Sequence, residues 1–505
     1  MMCSACFIAN GEKNKQMKKE ISQAELINTI PFDGFAANEI YPADINGDGK
    51  LELLCLQSAG IYQSKVFIGT SWVKTEDVPC MDIFCLTAIT REGKILWQFG
   101  KPCLKFKSAL SHVADQMLWC GIIADKDKPE IAVIKGKNLL ILDAATGTVK
   151  RSKDLSADNF GIVLTFKTRH GNRLLVQNTE ASYEAAGKSD DPSYKYALPA
   201  RIYDAGDLSL IATIDDNCSG SGHSPRVLDI DGDGDDEILI GFDAYDSDGK
   251  KFWRLEGERR QPITLYHVDQ LQIGKFGNPP VTTVVYAASG NVEAGTLDGK
   301  LLWQRDVGHA QHVVLGDFRL GDKRACMAIY ACSGRGGLGT AQKELLERVG
   351  VRMASGSDEI GSGNIVFLNE KGEIQSIIFA KDHFHSGEGI LVYPQGCPDG
   401  SDAVITRDLQ AGERTWPQAL NMAGESPFEI PQPEIKEQAK DGPAGCNTDD
   451  GYGVRIADFD NDGRAEILIH DQTTAWIFKP PFPKAGRKNT HEKLEPVTGQ
   501  GWYGL

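Results

Sequence analysis

The sequence predicts an all-β protein, a single β-propeller of seven or eight four-stranded blades with acidic loops on its inner hairpins. Three observations lead there. Glycine is abundant, 54 of 505 residues, without a collagen period, which signals many tight turns between short strands. One acidic strand–loop–strand pattern occurs three times: ADINGDGKLELLCL (Ala43–Leu56), LDIDGDGDDEILIG (Leu228–Gly241) and ADFDNDGRAEILIH (Ala457–His470). With degenerate copies, these give seven or eight units near the roughly 40–50-residue spacing of propeller blades. Radial repetition protects strand edges without large helices. Helical periodicity is confined mainly to TAQKELLERVGVRM (Thr340–Met353), read as an insertion on a loop.

In chain order, residues 1–30 are expected to form a disordered leader. Their start lacks the basic-then-apolar order of a signal peptide. Ser4-Ala5-Cys6 ahead of a lysine-rich spacer resembles the end of a bacterial lipoprotein signal. Cys3 and Cys6 form a CxxC with no second pair to complete a zinc site. Cys55 and Cys326 sit in apolar runs and are expected as buried thiols. The propeller is expected over 31–485, with a long Pro-, Glu- and Gly-rich loop over 414–450, and a tail over 486–505.

Further inner hairpins are read in LWCGIIADKDKPEIAVI (Leu118–Ile134), QLQIGKFGNPPVTTVVY (Gln270–Tyr286) and VVLGDFRLGDKRACMAIY (Val313–Tyr330). A second repeat, an Asp/Gly turn often followed by Trp, marks outer hairpins. Its copies are TREGKILWQF (Thr90–Phe99), LDAATGTVKRS (Leu142–Ser152), YDSDGKKFWRL (Tyr245–Leu255), TLDGKLLWQR (Thr296–Arg305) and LNEKGEIQSI (Leu368–Ile377). Glycine supplies the positive φ such turns need.

Charge and hydropathy narrow the function classes. The formal net charge of −16 disfavours a general nucleic-acid binder, which needs a basic footprint. No apolar run approaches the roughly 20 residues of a membrane helix.

The acidic loops suit a hard cation. Ca²⁺ takes 6–8 oxygens in flexible geometry, and alternate positions here offer them. The first loop gives Asp44, Asn46, Asp48, the backbone carbonyl of Lys50, and Glu52. The second gives Asp229, Asp231, Asp233, the carbonyl of Asp235, and Glu237. The third gives Asp458, Asp460, Asp462, the carbonyl of Arg464, and Glu466. These are calcium-binding hairpin loops rather than EF-hands, because β-type runs flank a shorter loop. Three copies in one register outweigh the alternative of metal-free Asp/Gly hairpins. The expected role is structural, since a divalent cation relieves repulsion among crowded carboxylates.

The loops resemble the FG-GAP/VCBS repeats of integrin-like propellers, a motif that speaks to fold more than function. GSGHSPRVLDIDGDGDDEILIGFDAYDSDGKKFWRL (Gly220–Leu255) resembles the core blade of the bacterial rhamnogalacturonan lyases, polysaccharide lyase family eleven. YHVDQLQIGKF (Tyr266–Phe276) and GHAQHVVLGDFR (Gly308–Arg319) are similar to that family's following strands. The resemblance spans Ser219–Arg319 and the loop at Asp458. It implies an eight-bladed propeller with calcium ions and eliminative cleavage of the rhamnose–galacturonate backbone of pectin. The chain departs from the family pattern at Gly222–Arg226, where the lyases carry a longer Gly-His-Gly-Asn-His run.

Elimination from a uronate needs a cation on the carboxylate, a base for the C5 proton and an acid for the leaving oxygen. Histidine titrates near neutral pH and suits the base. His223, His267, His309 and His312 precede or open inner-strand repeats and are the catalytic candidates; His383 and His385 stand ahead of another repeat. Arg226, Arg319 and Arg455 are candidates for pairing the substrate carboxylate, and Tyr266 for a further acid or base. Any one of these histidines alone reads as a structural link between blades. Their clustering points to a pocket at the channel mouth.

The leading reading is an extracytoplasmic, monomeric, calcium-containing lyase acting on a uronate polysaccharide or oligosaccharide. A glycoside hydrolase on the same scaffold and a non-catalytic glycan-binding or adhesion propeller are the alternatives. Arg226, Arg254, Arg259, Arg260, Arg305, Arg319 and Arg335 could supply a basic patch, and a shared pocket with histidine favours an enzyme over a binder. The Trp-bearing turns partly match quinoprotein repeats, but no adjacent Cys-Cys pair supports a quinone cofactor.

Overall fold

The computed structural model describes residues 21–58, 65–68, 71–74, 83–104, 117–156, 160–178, 200–214, 223–256, 268–277, 279–288, 291–332, 363–379, 389–407, 416–434 and 452–482. Among them the short apolar runs and glycine turns form strands and no helix. No helix there is long and apolar enough to cross a membrane. Calls on Cys3, Cys6 and Thr340–Met353 lie outside the described residues.

Eight antiparallel sheets follow one another along the chain, seven of four strands and one of three. Blade 1 comprises Glu39–Ala43, Glu52–Ser58, Phe84–Ile89 and Ile95–Lys101, with a small hairpin (Lys65–Ile68, Ser71–Lys74) inserted. Blade 2 comprises Leu118–Gly121, Glu130–Lys135, Asn138–Asp143 and Val149–Asp154; blade 3, Phe160–Phe166, Arg173–Asn178, Ala200–Asp204 and Leu210–Ile214. Blade 4 comprises Arg226–Leu228, Glu237–Ile240, Asp243–Tyr245 and Lys251–Arg254; blade 5, Val268–Phe276, Val281–Ala288, Asn291–Thr296 and Leu301–Arg305. Blade 6 comprises His309–Leu320, Lys323–Cys332, Gly363–Leu368 and Ile374–Phe379; blade 7, Gly389–Tyr393, Ala403–Arg407 and Ala419–Leu420. Blade 8 comprises Gly453–Ala457, Glu466–His470 and Thr474–Lys479, completed by Glu25–Pro31 from the start of the chain.

The first strand of each blade lies innermost. Val268–Phe276 packs beside His309–Leu320, which packs beside Gly389–Tyr393. Second strands such as Glu52–Ser58 and Glu466–His470 are buried throughout, because a neighbouring blade covers each face. Outer strands alternate, as in Val149–Asp154, because one face meets water.

Hydrophobic packing closes the ring. Eight apolar clusters occur, one between each adjacent pair of blades. The last joins blade 8 to blade 1 through Ile30, Leu468 and Ile477 against Ile40, Leu53 and Ile89. The fold is therefore an eight-bladed propeller.

The Trp-bearing repeat has a packing role. Trp97 on the outer strand of blade 1 lies under the turn at Gly147 of blade 2, so closely that a Cβ there would strike its ring. Trp253 meets Gly299 of blade 5, and Trp303 meets Gly372 of blade 6, in the same way. Indole N–H groups donate to the adjoining turn, Trp97 to the Ala144 carbonyl (3.0 Å) and Trp303 to the Glu370 carbonyl (2.9 Å). Trp97 and Trp303 thus set an aromatic ring against the next blade with the polar tip satisfied, whereas the buried Trp253 Nε1 has no hydrogen-bond partner among the described residues.

Two expected boundaries shift. The expected leader, residues 1–30, gives way at its end to a strand: Glu25–Pro31 pairs with Thr474–Lys479 as the outer strand of blade 8. Its in-facing Ile30 is fully buried, and that burial draws the segment onto the ring. Within the expected loop over 414–450, Ala419–Leu420 pairs with Val404 and Ile405 as the third strand of blade 7. Two residues between turn-forming neighbours leave too little periodicity to read.

Candidate functional site

Inner strands begin at one end of the ring and run to the acidic hairpin loops at the other. Charged and imidazole side chains gather at the beginning. Glu39 opens blade 1, and its carboxylate accepts from Arg407 of blade 7 (3.3 Å) and Arg455 of blade 8 (2.5 Å). Arg455 also donates to the carbonyls of Ile40 (2.8 Å) and Val454 (2.8 Å). Arg407 is the largest of the fully buried side chains.

Next along the ring, His312 of blade 6 sits against Gly389, where a Cβ would stand 2.6 Å from the imidazole Cε1. A residue larger than glycine would displace that ring. Burial, with Arg407 nearby, pushes the His312 pKa down to about 3. His470 of blade 8 lies still closer to Gly453, where a Cβ would strike the imidazole Nε2, and burial with Arg455 pushes its pKa down to about 3. Both rings are neutral at physiological pH.

His309 lies at the start of the same strand as His312. Its Nε2 is 3.4 Å from the Asp269 carboxylate of blade 5 and 2.7 Å from the Gln311 amide nitrogen. Ser224 of blade 4 donates to the Asp269 carbonyl (3.0 Å), and the His223 amide donates to the Val268 carbonyl (3.2 Å). Arg226 then continues the arc. It is buried, donates to the Pro225 carbonyl (3.0 Å), and has no carboxylate partner among the described residues. Burial alone lowers its pKa to about 10, which leaves it charged.

The arc thus runs unbroken from blade 4 through blade 8 to blade 1. Among the described residues it holds three guanidiniums and two carboxylates, all buried or nearly so. His309, Asp269 and Arg455 keep 8%, 10% and 12% of their side-chain surface open, while Arg407 keeps 1%. The open groups are the ones a ligand can reach.

Of the predicted residues, the structure brings His223, Arg226, His309, His312 and Arg455 to this end. His267 and Tyr266 lie outside the described residues, as do His383, His385, Arg259, Arg260 and Arg335. Arg319 does not join them. It sits at the far end of the His309–Leu320 strand, paired with Asp317. Arg254 and Arg305 are on outer strands, bound to Asp243 (2.7 Å) and the Gly372 carbonyl (2.6 Å). Sequence reading missed Glu39, Asp269, Arg407 and His470. Glu39 and Asp269 also open inner strands, a position that could have flagged them; Arg407 and His470 end second strands opposite Gly389 and Gly453.

The opposite end carries the acidic loops. In each the first Asp folds the turn. Asp44 accepts from the amides of Gly47 (2.7 Å) and Gly49 (2.8 Å), Asp229 from Gly232 (2.7 Å) and Gly234 (3.1 Å), and Asp458 from Asp462 (3.0 Å) and Gly463 (2.8 Å). Asn46, Asp231 and Asp460 accept in turn from Asp48, Asp233 and Asp462. The fourth-position amides of Lys50, Asp235 and Arg464 donate back to Asp48, Asp233 and Asp462. A buried glutamate closes each loop: Glu52 on the Ile45 amide (3.1 Å), Glu237 on Ile230 (2.7 Å) and Glu466 on Phe459 (2.8 Å).

Ligand oxygens of Asp229, Asp231 and Glu237 lie within 4.8 Å of one another, as do those of Asp458, Asp460 and Glu466. Burial, then neighbouring aspartates, raises Glu237 to about 7; burial and Asp460 raise Glu466 to about 7. Burial also raises Glu52. Converging oxygens that resist ionisation alone are the donor set a divalent cation fits, provided no cationic side chain already faces them. Such a cation would sit at the end of the ring away from the histidines, and so would hold the hairpins rather than touch a ligand in the arc.

No protein-family model matches the chain, and no curated protein matches it. Solved structures do. The exotype rhamnogalacturonan lyase YesX superposes with a TM-score of 0.55 at 14% identity, over 91% of this chain and 75% of that one. Rhamnogalacturonan lyase YesW gives 0.51 at 14% identity over 94% and 76%, and the rhamnogalacturonan lyase of Bacillus licheniformis 0.51 at 14% over 91% and 76%. At this identity the likeness is one of fold.

Proposed function

We propose that the protein binds a uronate-containing polysaccharide at the histidine–arginine end of the channel and cleaves it by elimination. The observation that carries this is the buried arc in which guanidiniums outnumber carboxylates beside a carboxylate-backed imidazole. Arg455 would pair with the uronate carboxylate and so acidify C5, with the buried charge of Arg226 adding to the positive field of the arc. His309, oriented by Asp269, would take the C5 proton as the C4–O bond breaks. The buried, neutral His312 and His470 would shape the pocket wall. The likeness to rhamnogalacturonan lyases supports rhamnogalacturonan as the first substrate to try. Calcium in the hairpin loops of blades 1 and 4 would be structural, and such loops suit a calcium-rich, extracytoplasmic setting.

A second reading is a non-catalytic glycan-binding propeller. It is favoured by Glu39, which already neutralises part of the charge of Arg407 and Arg455. The test is incubation with rhamnogalacturonan and other uronate polysaccharides, with and without chelator. Ultraviolet absorbance of the unsaturated uronate is followed alongside reducing ends. A rise in absorbance that falls about 10²–10⁴-fold in His309→Ala is expected. Reducing ends without absorbance would mean hydrolysis. Neither signal from a folded, calcium-loaded protein would leave the binding reading.

A further inference from the structure

Four inner hairpins share one loop design, and they differ in what faces their carboxylates. Besides the three loops above, blade 2 keeps the closing glutamate: Glu130 accepts from the Ala124 amide (2.9 Å), and Asp125 from the Asp127 amide (3.1 Å). All four glutamates are buried.

In blade 8 a lysine stands in the middle of the oxygen set. Lys479, the last residue of the Thr474–Lys479 strand, places Nζ 2.5 Å from Asp460 Oδ2, 2.5 Å from Asp462 Oδ2 and 3.6 Å from Glu466 Oε1. That glutamate oxygen is fully buried and accepts no hydrogen bond, so the ammonium is the charge it faces. Blade 2 repeats the arrangement. Lys150, at the start of the Val149–Asp154 strand, places Nζ 2.8 Å from Glu130 Oε1 and 3.3 Å from Asp125 Oδ2, and Arg151 adds a bond of 2.9 Å to Oε2. Both lysines come from the strand end that borders the loop.

Blades 1 and 4 differ. No ion pair reaches Asp44, Asp48 or Glu52 among the described residues. In blade 4, Arg169 of blade 3 binds Asp233 (3.0 Å) and Asp235 (3.0 Å). Among the described residues no ion pair reaches Asp229, Asp231 or Glu237.

We infer that Lys479 is a resident cation of the blade 8 loop, closing it to divalent ions, as Lys150 closes the blade 2 loop. Calcium needs 6–8 oxygens at about 2.3–2.6 Å. An ammonium held 2.5 Å from two of the same carboxylates occupies that volume, and the ion cannot enter until the lysine leaves. The lysine supplies one positive charge where the ion would supply two. It costs no binding equilibrium, because the chain itself delivers it. The hairpin of the closing blade is thereby held whatever the calcium concentration.

The test is calcium titration by calorimetry of the full chain, freed of metal by chelator, for the wild type and Lys479→Met. The variant keeps the length of the side chain and removes its charge. It is expected to bind one more Ca²⁺ per chain than the wild type and to gain more thermal stability from calcium. An unchanged count would overturn the inference. Asp458→Asn in the wild-type background provides a check that does not depend on the lysine variant folding. Its calcium count should equal that of the wild type; a count lower by one would mean the blade 8 loop holds an ion beside Lys479, and the inference fails. The wild-type count by itself speaks to calcium in blades 1 and 4, and the differences between variants speak to the lysine, so the two readings fail separately.

Discussion

His312 and His470 are neutral imidazoles held inside a field of guanidiniums. Each has a folded-state pKa of about 3 against an ordinary 6.5, with burial the larger cause and an arginine charge the next. The unfolded chain therefore takes up protons that the folded chain refuses. Their contribution to stability is complete above about pH 6.5 and is lost as pH falls toward 3, at up to about 1.4 kcal/mol per pH unit for each ring. Urea unfolding at a series of pH values should show this slope, and His312→Asn should reduce it by about one ring's share. A slope unchanged in the variant would mean that the ring carries its proton inside the fold. Arg407 favours neutrality here, because a second positive charge beside it would add to the guanidinium field that already draws on Glu39, and burial with Arg407 outweighs the opposing influence of Asp269.

At the scale of the hairpin, one turn glycine does two things. Gly147 has a φ of 69°, and its missing Cβ leaves room for the Trp97 ring of the preceding blade. Gly136 has a φ of 57° in a turn with open space around it. Gly147→Ala should therefore cost roughly 2–4 kcal/mol, from backbone strain plus overpacking against the indole. Gly136→Ala should cost only the backbone share, roughly 1 kcal/mol. Thermal or chemical unfolding of the two variants separates the contributions. Equal losses would mean that the tryptophan latch yields without cost. The acidic loop is the element at the other end of the blade, and its order follows from the same economy of turns. Each aspartate bonds the amides two to five residues ahead, and the buried glutamate ties the loop back to its own strand.

For the whole molecule, closure depends on one strand from the start of the chain. Glu25–Pro31 pairs along Thr474–Lys479, and Ile30 joins the apolar cluster between blades 8 and 1. A chain beginning at residue 33 should lose that cluster's outer edge and expose the backbone of Thr474–Lys479. Exposed edges recruit other strands, so the truncated protein is expected to melt at lower temperature and to associate. Thermal unfolding with light scattering checks both. A monomer of unchanged melting temperature would mean that the other seven interblade clusters suffice.

Local spacing made much of this protein legible. The three acidic loops, the degenerate inner hairpins at Leu118, Gln270 and Val313, and the five outer Gly turns all correspond to hairpins of the fold. Their bonds join residues a few positions apart, so the sequence carries them in full. Blade 7's two-residue third strand and the role of Glu25–Pro31 escaped, because their partners are supplied by other parts of the ring. The candidate site divides in the same way. His309 and Arg455 stand out as residue types at strand starts, whereas Glu39 meets Arg407 and Arg455 across 368 and 416 residues. Lys479 reads as an ordinary surface lysine until its strand brings it to Asp460 and Asp462. The chain by itself determined the hairpins, their turns and the oxygen-rich loops. Ring closure alone decided which charges share a buried space, because in a low-dielectric interior a charge takes its meaning from its partners.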